Sequence, residues 1–265
     1  MTIRTGIGGW TYPDWRGGAF YPQGLVQKRE LEYASRQLGA IEINGTAHSL
    51  QKPESFRKWR EATPDGFVFA VKGSSYVTNR KVLASAGDSL AKFFGQGLEE
   101  LGDRLGPILW QFMGTKRFDA EDVAAFLAML PRELKGLPLR YAIEAGHESF
   151  ACPQFVDMAR AAGVAIVWLE REGLARIADR TADFAYLRCK NTQADEPTGY
   201  PQADLDRIAD MCRAWEAGRA PPNLPYAGDP AASEGEGGEV FAFMIAGAKE
   251  RNPAAAMALA DKLQE

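Results

Sequence analysis

The chain has few of the residues that build metal centres and disulfide frameworks. Among its 265 residues are two histidines and three cysteines, and the cysteines are far apart with no CxxC pair. Unpaired cysteines in mostly apolar surroundings are typical of a reducing compartment. The composition therefore argues against a zinc-finger or secreted disulfide-rich protein and favours a cytoplasmic location.

Long apolar and long basic runs are also absent. The N-terminus shows no charged segment followed by an apolar core, and no run is long enough to span a bilayer, so neither a signal peptide nor a membrane partner is expected. The formal net charge is −4, and basic residues occur singly or in short pairs. A general electrostatic grip on nucleic acid is therefore not expected, and a small molecule is the predicted partner.

What the chain does have is a regular series of short apolar runs. They are rich in Val, Ile, Phe and Ala, as the buried strands of a parallel sheet are. The eight predicted strands are Ile3–Gly8, Ala40–Asn44, Phe67–Lys72, Pro107–Phe112, Leu139–Glu144, Val164–Leu169, Phe184–Cys189 and Val240–Ile245.

Helix-like segments lie between these runs, about Lys28–Gln37, Pro53–Ala62, Leu90–Leu101, Ala120–Met129, Pro153–Ala162, Ala203–Trp215 and Pro253–Leu263. Only the link Glu170–Asp183 leaves little room for a full helix. Alternating strands and helices over this length predict an α/β protein, a single-domain TIM (β/α)8 barrel. A doubly wound open sheet is the rival, but its GxGxxG fingerprint is missing after the first strand.

The segment 219–239 differs in composition from the rest. It is rich in Pro, Gly and Ala and has almost no large apolar residue. Such a segment buries too little surface to offset the entropy lost on ordering, so a flexible, insertion-like loop is expected. Because it precedes the last strand, it should emerge at the amino-terminal face of the barrel.

Polar side chains end several predicted strands at what would be the same end of the barrel. Glu42 and Asn44 share one face of their strand because side chains alternate along a strand. The other positions are Lys72, Gln111, Glu144, Arg188 and Lys190, with Glu170 after the sixth strand. Barrel enzymes place their chemistry at this carboxyl-terminal mouth, which predicts a site there.

Two interpretations of these side chains remain open. As a catalytic site, Glu42 and Glu144 would share acid and base roles, His147 would be a second proton carrier, and Lys72 would hold an anion or form a Schiff base. The substrate-binding residues would then be Trp10, Asn44, Thr46, Gln111, Arg188 and Lys190. As a structural feature, the carboxylates would pair with the cations, and His147 would cap the next helix with Ser149.

A divalent metal held by Glu42, Glu144, Glu170 and His147 is a further hypothesis. The chain has neither HxH nor HxxxH spacing, so no metal ligands are assigned and no cofactor is predicted.

Several motifs carry a resemblance to a known family. The stretches GIGGWTYPDWRGGAFYP, LGAIEINGTAHSL, FVFAVK, LGPILWQF, IEAGHESF and YLRCK stand in the order seen in the DUF72 (YecE-like) family, and the likeness covers about residues 5–190. The family implies a TIM-barrel fold without an established reaction. This chain resembles a divergent member, because Gly146, Lys190, Met244 and Ile245 replace the family's arginine, histidine and two asparagines.

The functional hypothesis follows from the retained polar residues. It is an enzyme of acid–base chemistry on a small polar, anionic substrate, with hydrolysis, lyase chemistry and isomerisation not distinguished. The alternatives are a non-catalytic ligand- or partner-binding barrel with a partly degraded site, and a metal-dependent nuclease- or isomerase-like barrel.

Overall fold

Eight parallel strands close into a barrel in the computed structural model, which describes residues 2–171 and 173–265. The strands are Ile3–Gly8 (β1), Ala40–Ile43 (β2), Val68–Lys72 (β3), Leu105–Gln111 (β4), Tyr141–Glu144 (β5), Ala165–Glu170 (β6), Phe184–Cys189 (β7) and Glu239–Met244 (β8). Each pairs with the next along the chain, and β8 pairs with β1. This confirms the (β/α)8 barrel, and every predicted strand lies within two residues of its observed bounds.

Helices surround the barrel. They are Glu30–Gln37 (α1), Pro53–Ala62 (α2), Ser75–Thr78 (α3), Gly87–Phe94 (α4), Ala120–Met129 (α5), Pro153–Ala162 (α6), Gln202–Glu216 (α7) and Asn252–Gln264 (α8). Short 3-10 turns occupy Pro13–Trp15, Gln27–Arg29, Gly45–Ala47, Leu83–Ser85, Leu98–Arg104, Glu148–Phe150, Pro230–Ser233 and Lys249–Arg251. A two-stranded hairpin, Glu133–Leu134 with Leu137–Pro138, precedes β5.

One helix prediction was wrong. The expected helix Leu90–Leu101 ends at Phe94, and the chain continues as the 3-10 turn Leu98–Arg104. The break comes at Gly97, whose φ of 102° is open to glycine but strained for other residues. Between β6 and β7, the described residues form no helix, as the short link predicted.

Side-chain alternation separates two apolar layers. Ala70, Leu109, Val167 and Phe243 belong to the layer that fills the barrel interior. Their sequence neighbours, such as Trp110, pack in the larger layer between strands and helices. Because the inward-facing positions become polar at the carboxyl ends of the strands, the barrel has an apolar middle and a charged mouth.

The segment 219–239 is folded onto the amino-terminal end of the barrel. Asp179, in the segment leading into β7, accepts hydrogen bonds from the backbone N–H groups of Ala227 and Gly228 at 2.7 and 3.0 Å. The Tyr226 hydroxyl donates to the Pro221 carbonyl at 2.6 Å. The segment therefore has internal structure and its own 3-10 turn, which its composition did not predict, and its mobility stays a prediction.

None of the helices in the described part of the chain combines the length and the apolar character needed to cross a bilayer.

Candidate active site at the barrel mouth

Five of the eight strands contribute inward-pointing polar side chains to one cluster at the carboxyl end of the barrel. We call it the mouth cluster. It comprises Glu42 on β2, Lys72 on β3, Gln111 on β4, Glu144 on β5, and Tyr186, Arg188 and Lys190 on or just after β7. Six of these seven were singled out from the sequence, and the barrel brings them together.

Arg188 is the centre of the mouth cluster. Its side chain is only 2% exposed, and its guanidinium binds two carboxylates, Glu144 and Glu42, the latter at 2.9 Å. Glu42 is fully buried and accepts a second hydrogen bond from the Tyr186 hydroxyl at 2.7 Å. Charges so deeply buried persist only when they are paired and hydrogen-bonded. Arg188, Glu42 and Glu144 therefore hold one another in fixed positions.

Glu144 joins these buried side chains to the outer rim of the mouth. Its Oε1 accepts hydrogen bonds from Lys190 Nζ at 2.6 Å and Gln111 Nε2 at 2.7 Å. Burial works to raise the pKa of the Glu144 carboxyl, but Arg188 and then Lys190 outweigh burial and hold the pKa at about 2. Glu144 is therefore ionised across the physiological range and is too weak a base to exchange protons near neutral pH.

Lys72 stands apart from this pairing. Its side chain is half-buried at the end of β3, and within the described chain its Nζ has no hydrogen-bonding or ion-pairing partner. Burial lowers the pKa of the Lys72 amine, and nearby Arg188 lowers it further, against the opposing effects of Glu42 and Glu144. Among the described residues, none makes a direct ion pair with this amine.

Local backbone geometry holds Lys72 in place. The Thr46 hydroxyl donates to the Lys72 carbonyl at 2.7 Å, and the N–H of Gly73 donates to the Leu109 carbonyl at 2.8 Å. A Cβ on Gly73 would lie 2.2 Å from the buried Trp110 ring, so only glycine fits after Lys72. The strand end is fixed by hydrogen bonds and close packing, which limits the positions that the Lys72 side chain can reach.

Lys190 offers an internal comparison for Lys72. Burial lowers the pKa of the Lys190 amine too, although Glu144 opposes this shift. Its Nζ is bonded to Glu144, and its side chain is 8% exposed. Of the two amines at the mouth, one is held by a carboxylate and the other is not.

The other predicted site residues lie outside this network. The Trp10 ring packs edge-on against Trp59, with ring centroids 5.2 Å apart. The Thr46 hydroxyl donates to the backbone carbonyls of Ile43 and Lys72. Asn44 is half-buried at the rim, and its Nδ2 lies 3.4 Å from the Glu42 carbonyl. Direct substrate contact by Trp10, Asn44 or Thr46 stays a prediction.

His147 takes the capping position that the structural interpretation predicted. Its Nδ1 accepts a hydrogen bond from the Ser149 N–H at 3.1 Å and lies 2.9 Å from the Ser149 hydroxyl. Its ring lines a separate depression of about 430 Å³ with Gly114, Gly146 and Leu174. His147 is not bonded to any described member of the mouth cluster, so a catalytic role there stays a prediction.

The metal hypothesis named a ligand set that the fold does not assemble. Glu170 is the last residue of β6 and faces α7, where it binds the Tyr200 hydroxyl at 2.6 Å and Arg207 at 2.9 Å. Within residues 2–171 and 173–265, no group of three or more His, Cys, Asp or Glu side chains is arranged to hold a metal ion. The proposed set with Glu170 and Glu42 was wrong because alternation places the two side chains on opposite faces of the barrel wall.

Tyr186 was missed from the sequence. It lies two residues before Arg188 and four before Lys190 in the stretch YLRCK, so all three share the inner face of β7. The period-two pattern that placed Arg188 and Lys190 together also places Tyr186 there. Burial and the neighbouring Glu42 raise the pKa of its hydroxyl well above the ordinary value, so Tyr186 stays protonated and donates to Glu42.

A further depression opens on the mouth side of the barrel. It measures about 790 Å³ and runs between the loops that follow β3 and β4, with Arg80, Lys81, Met113 and Arg117 in its lining. It provides space for a ligand next to the β3 and β4 strand ends, but none of the cluster residues lines it.

Comparison with known proteins gives a consistent picture. The family model described as "Protein of unknown function DUF72" matches residues 4–265. The UPF0759 protein YecE of Escherichia coli, in strains K12 and O157:H7, is 28% identical over 151 residues, which are 56% of this chain and 50% of that protein. The match thus spans about half the length of these curated relatives.

Solved structures show the same fold over the whole chain. A DUF72 family protein from Thermotoga maritima MSB8 has a TM-score of 0.73 at 20% identity, with both chains fully covered. Another from Enterococcus faecalis V583 has a TM-score of 0.69 at 16% identity, covering 100% of this chain and 98% of that one. At these identities the likeness establishes the barrel fold and nothing about chemistry.

Proposed function

The chain belongs to the DUF72 family, and on that premise we propose that it is an enzyme whose barrel mouth binds a small anionic substrate. Lys72 is the reacting group and carries out the acid–base chemistry. Lys190, Gln111 and Asn44 lie at the rim, where they can orient the substrate.

The observation that carries the proposal is the Lys72 amine, which has no ion-pair partner within residues 2–171 and 173–265. Glu42 and Glu144 contribute two negative charges to the cluster. Arg188 and Lys190 contribute two positive charges, which balance them. Lys72 adds one further positive charge when protonated. An uncompensated cation in a half-buried site attracts an anion, because partial burial weakens the screening by water.

The lowered pKa of Lys72 supports a chemical role beyond binding. Efficient proton transfer needs a group whose pKa lies closer to the working pH than that of an ordinary lysine. Burial and Arg188 both move the Lys72 amine in that direction. The Glu144 carboxylate, held ionised, then keeps Arg188 and Lys190 in place and does not itself carry protons.

A thermal-shift screen with small anions tests the proposal. Wild type, Lys72→Met and Lys58→Met would be titrated with monocarboxylates, dicarboxylates and phosphate esters, and each stabilising compound would then be followed by NMR for turnover. Lys58 is exposed on α2 and serves as the matched control. We expect stabilisation and turnover in wild type and Lys58→Met, and loss of both in Lys72→Met. Equal stabilisation of all three proteins would contradict a role for Lys72.

A binding protein without turnover is the second candidate. It is favoured by Glu144, whose pKa of about 2 removes it as a proton carrier, and by Ile245, an apolar residue that packs against the barrel's interior layer where the family resemblance implies an asparagine. The same screen separates the two candidates, because a binding protein would be stabilised by a compound that it leaves unchanged.

A further inference from the structure

We propose that Lys72 forms a Schiff base with the carbonyl group of its substrate, so that the substrates are small anionic aldehydes or ketones, such as 2-oxo acids. This inference rests on the proposed function of the mouth and names the substrate class and the bond that is made.

The placement of Lys72 meets the first requirement for such chemistry, an amine free to attack. Its Nζ is not bonded to any described carboxylate, whereas Lys190 Nζ is held 2.6 Å from Glu144. Lys72 is the last residue of β3, and its backbone carbonyl accepts a hydrogen bond from the Thr46 hydroxyl at 2.7 Å. The side chain therefore extends into the mouth from a fixed backbone position. A carbonyl compound entering the mouth meets this amine without first breaking an ion pair.

The surroundings of Lys72 meet the second requirement, a neutral amine at moderate pH. A lysine becomes nucleophilic when it is partly desolvated or when another cation lies near it. Lys72 has both features, because its side chain is half-buried and the guanidinium of Arg188 is close enough to act on it. The guanidinium cannot itself react, since it is committed to Glu42 and Glu144.

The reaction balances with solvent water as the proton carrier. The Nζ lone pair attacks the carbonyl carbon, a C–N bond forms, and the carbonyl oxygen takes up a proton to give a carbinolamine. The attacking nitrogen releases one proton to water and so regains its lone pair. The carbinolamine hydroxyl is then protonated and leaves as water, and the nitrogen lone pair forms the C=N bond, so that one proton is taken up overall. The protonated imine carries the same single positive charge as the lysine ammonium, so the charge balance of the mouth cluster is retained.

The preference for an anionic carbonyl compound follows from the positive charge that Lys72 adds to the mouth cluster. The protonated imine and Lys190 both lie at the mouth, and Lys190 uses only one of its three N–H groups on Glu144. A carboxylate next to the reacting carbonyl can therefore be bound at this rim. A neutral aldehyde of the same size lacks that interaction.

Reductive trapping tests the proposal. Wild type would be incubated with pyruvate, glyoxylate or acetaldehyde and treated with sodium borohydride, which donates hydride to the imine carbon and leaves a stable secondary amine. Peptide mass spectrometry would locate the adduct. We expect Lys72 to carry at least about ten times more adduct than Lys58 or Lys190, and more with the two oxo acids than with acetaldehyde.

Two variants make the test specific. Lys72→Arg keeps the positive charge but cannot form an imine, so we expect the selective adduct to disappear while the protein stays folded by circular dichroism. Lys190→Met should still be trapped at Lys72 with acetaldehyde, and with a smaller preference for oxo acids. Adducts distributed over exposed lysines, or concentrated on Lys190, would overturn the Schiff-base proposal.

The outcome is separable from that of the proposed function. If small anions still stabilise the protein through Lys72 in the thermal-shift screen while no selective adduct forms, the Schiff base is wrong and the anion site stands. If neither stabilisation nor selective trapping depends on Lys72, then both the anion site and the Schiff base are wrong.

Discussion

The two ends of the barrel hold similar sets of charged side chains in different surroundings. At the amino-terminal end, Glu239 binds Arg4 at 2.8 Å and Arg140 at 2.6 Å, and all three side chains are 23–31% exposed. We call these three residues the lower cluster. In the mouth cluster, Arg188 and Glu42 are at most 2% exposed. The same kind of ion pair is therefore screened by water at one end and almost fully desolvated at the other.

This difference in burial indicates which charged groups matter for stability and which are available for chemistry. Exposed ion pairs contribute about 0–1 kcal/mol, whereas leaving a buried charge without its partner costs about 3–5 kcal/mol. The lower cluster also leaves neither guanidinium free, since Arg4 and Arg140 both bind Glu239, and Arg140 further stacks over Phe184 at 5.2 Å. Of the two clusters, the mouth cluster combines buried ion pairs with an amine that no described carboxylate binds, and this combination distinguishes the candidate site from the lower cluster.

The largest expected effect is a loss of stability when one ion-paired arginine is removed from each cluster. Arg188→Met leaves two buried carboxylates without their shared cation, so we expect the free energy of unfolding to fall by about 3–5 kcal/mol. Arg140→Met removes a part-exposed partner, and we expect a loss of about 1 kcal/mol or less. Urea denaturation of both variants measures the contrast. Losses of equal size would mean that burial does not separate the two clusters.

The next effect concerns pH. The folded pKa of Glu144 is about 2, below its ordinary value of 4.5, so its ionisation stabilises the folded protein above about pH 4.5, and this stability is lost as the pH falls toward 2. The shift corresponds to roughly 3 kcal/mol. We expect Glu144→Gln to lower stability at neutral pH and to flatten the dependence of stability on pH in that window.

Glu239 provides the control for that measurement at the other end. Its pKa is also lowered: burial opposes the shift, and the hydrogen bonds from Arg4 and Arg140 outweigh burial. Because its side chain is 23% exposed, we expect Glu239→Gln to change the same pH profile less than Glu144→Gln does. A larger change in the pH dependence of stability for Glu239→Gln than for Glu144→Gln would contradict the argument that burial makes the mouth carboxylate the more important one.

The smallest effect is expected from the segment 219–239. Replacing 221–235 with a short glycine-containing turn removes the hydrogen bonds to Asp179 at the amino-terminal end but touches no described member of the mouth cluster. We expect a modest loss of stability and unchanged labelling of Lys72 by reductive trapping or amine reagents. A change in Lys72 reactivity would show that the two ends of the barrel are coupled.

The candidate site was only partly predictable from the sequence. The polar ends of the strands are enough to place Glu42, Lys72, Glu144 and Arg188 at one end of the barrel. Their roles were not predictable, because Glu144 was expected to exchange protons and is instead held ionised by Arg188 and Lys190. A pKa depends on which neighbours lie within a few ångströms, and those neighbours come from strands far apart in the chain.

By itself, the sequence determined the order and bounds of the strands, the barrel, and the inward-facing set that ends in polar residues. These follow from periods of two and 3.6 residues, which act over short stretches of chain and can be seen in one sequence. Only the tertiary structure decided the pairing. It places Arg188 between Glu42 and Glu144, binds Lys190 to Glu144, turns Glu170 toward α7, and leaves Lys72 without an ion-pair partner among the described residues. The physical reason is that barrel closure and strand stagger set the distances between side chains on different strands, and no local pattern in the chain specifies them.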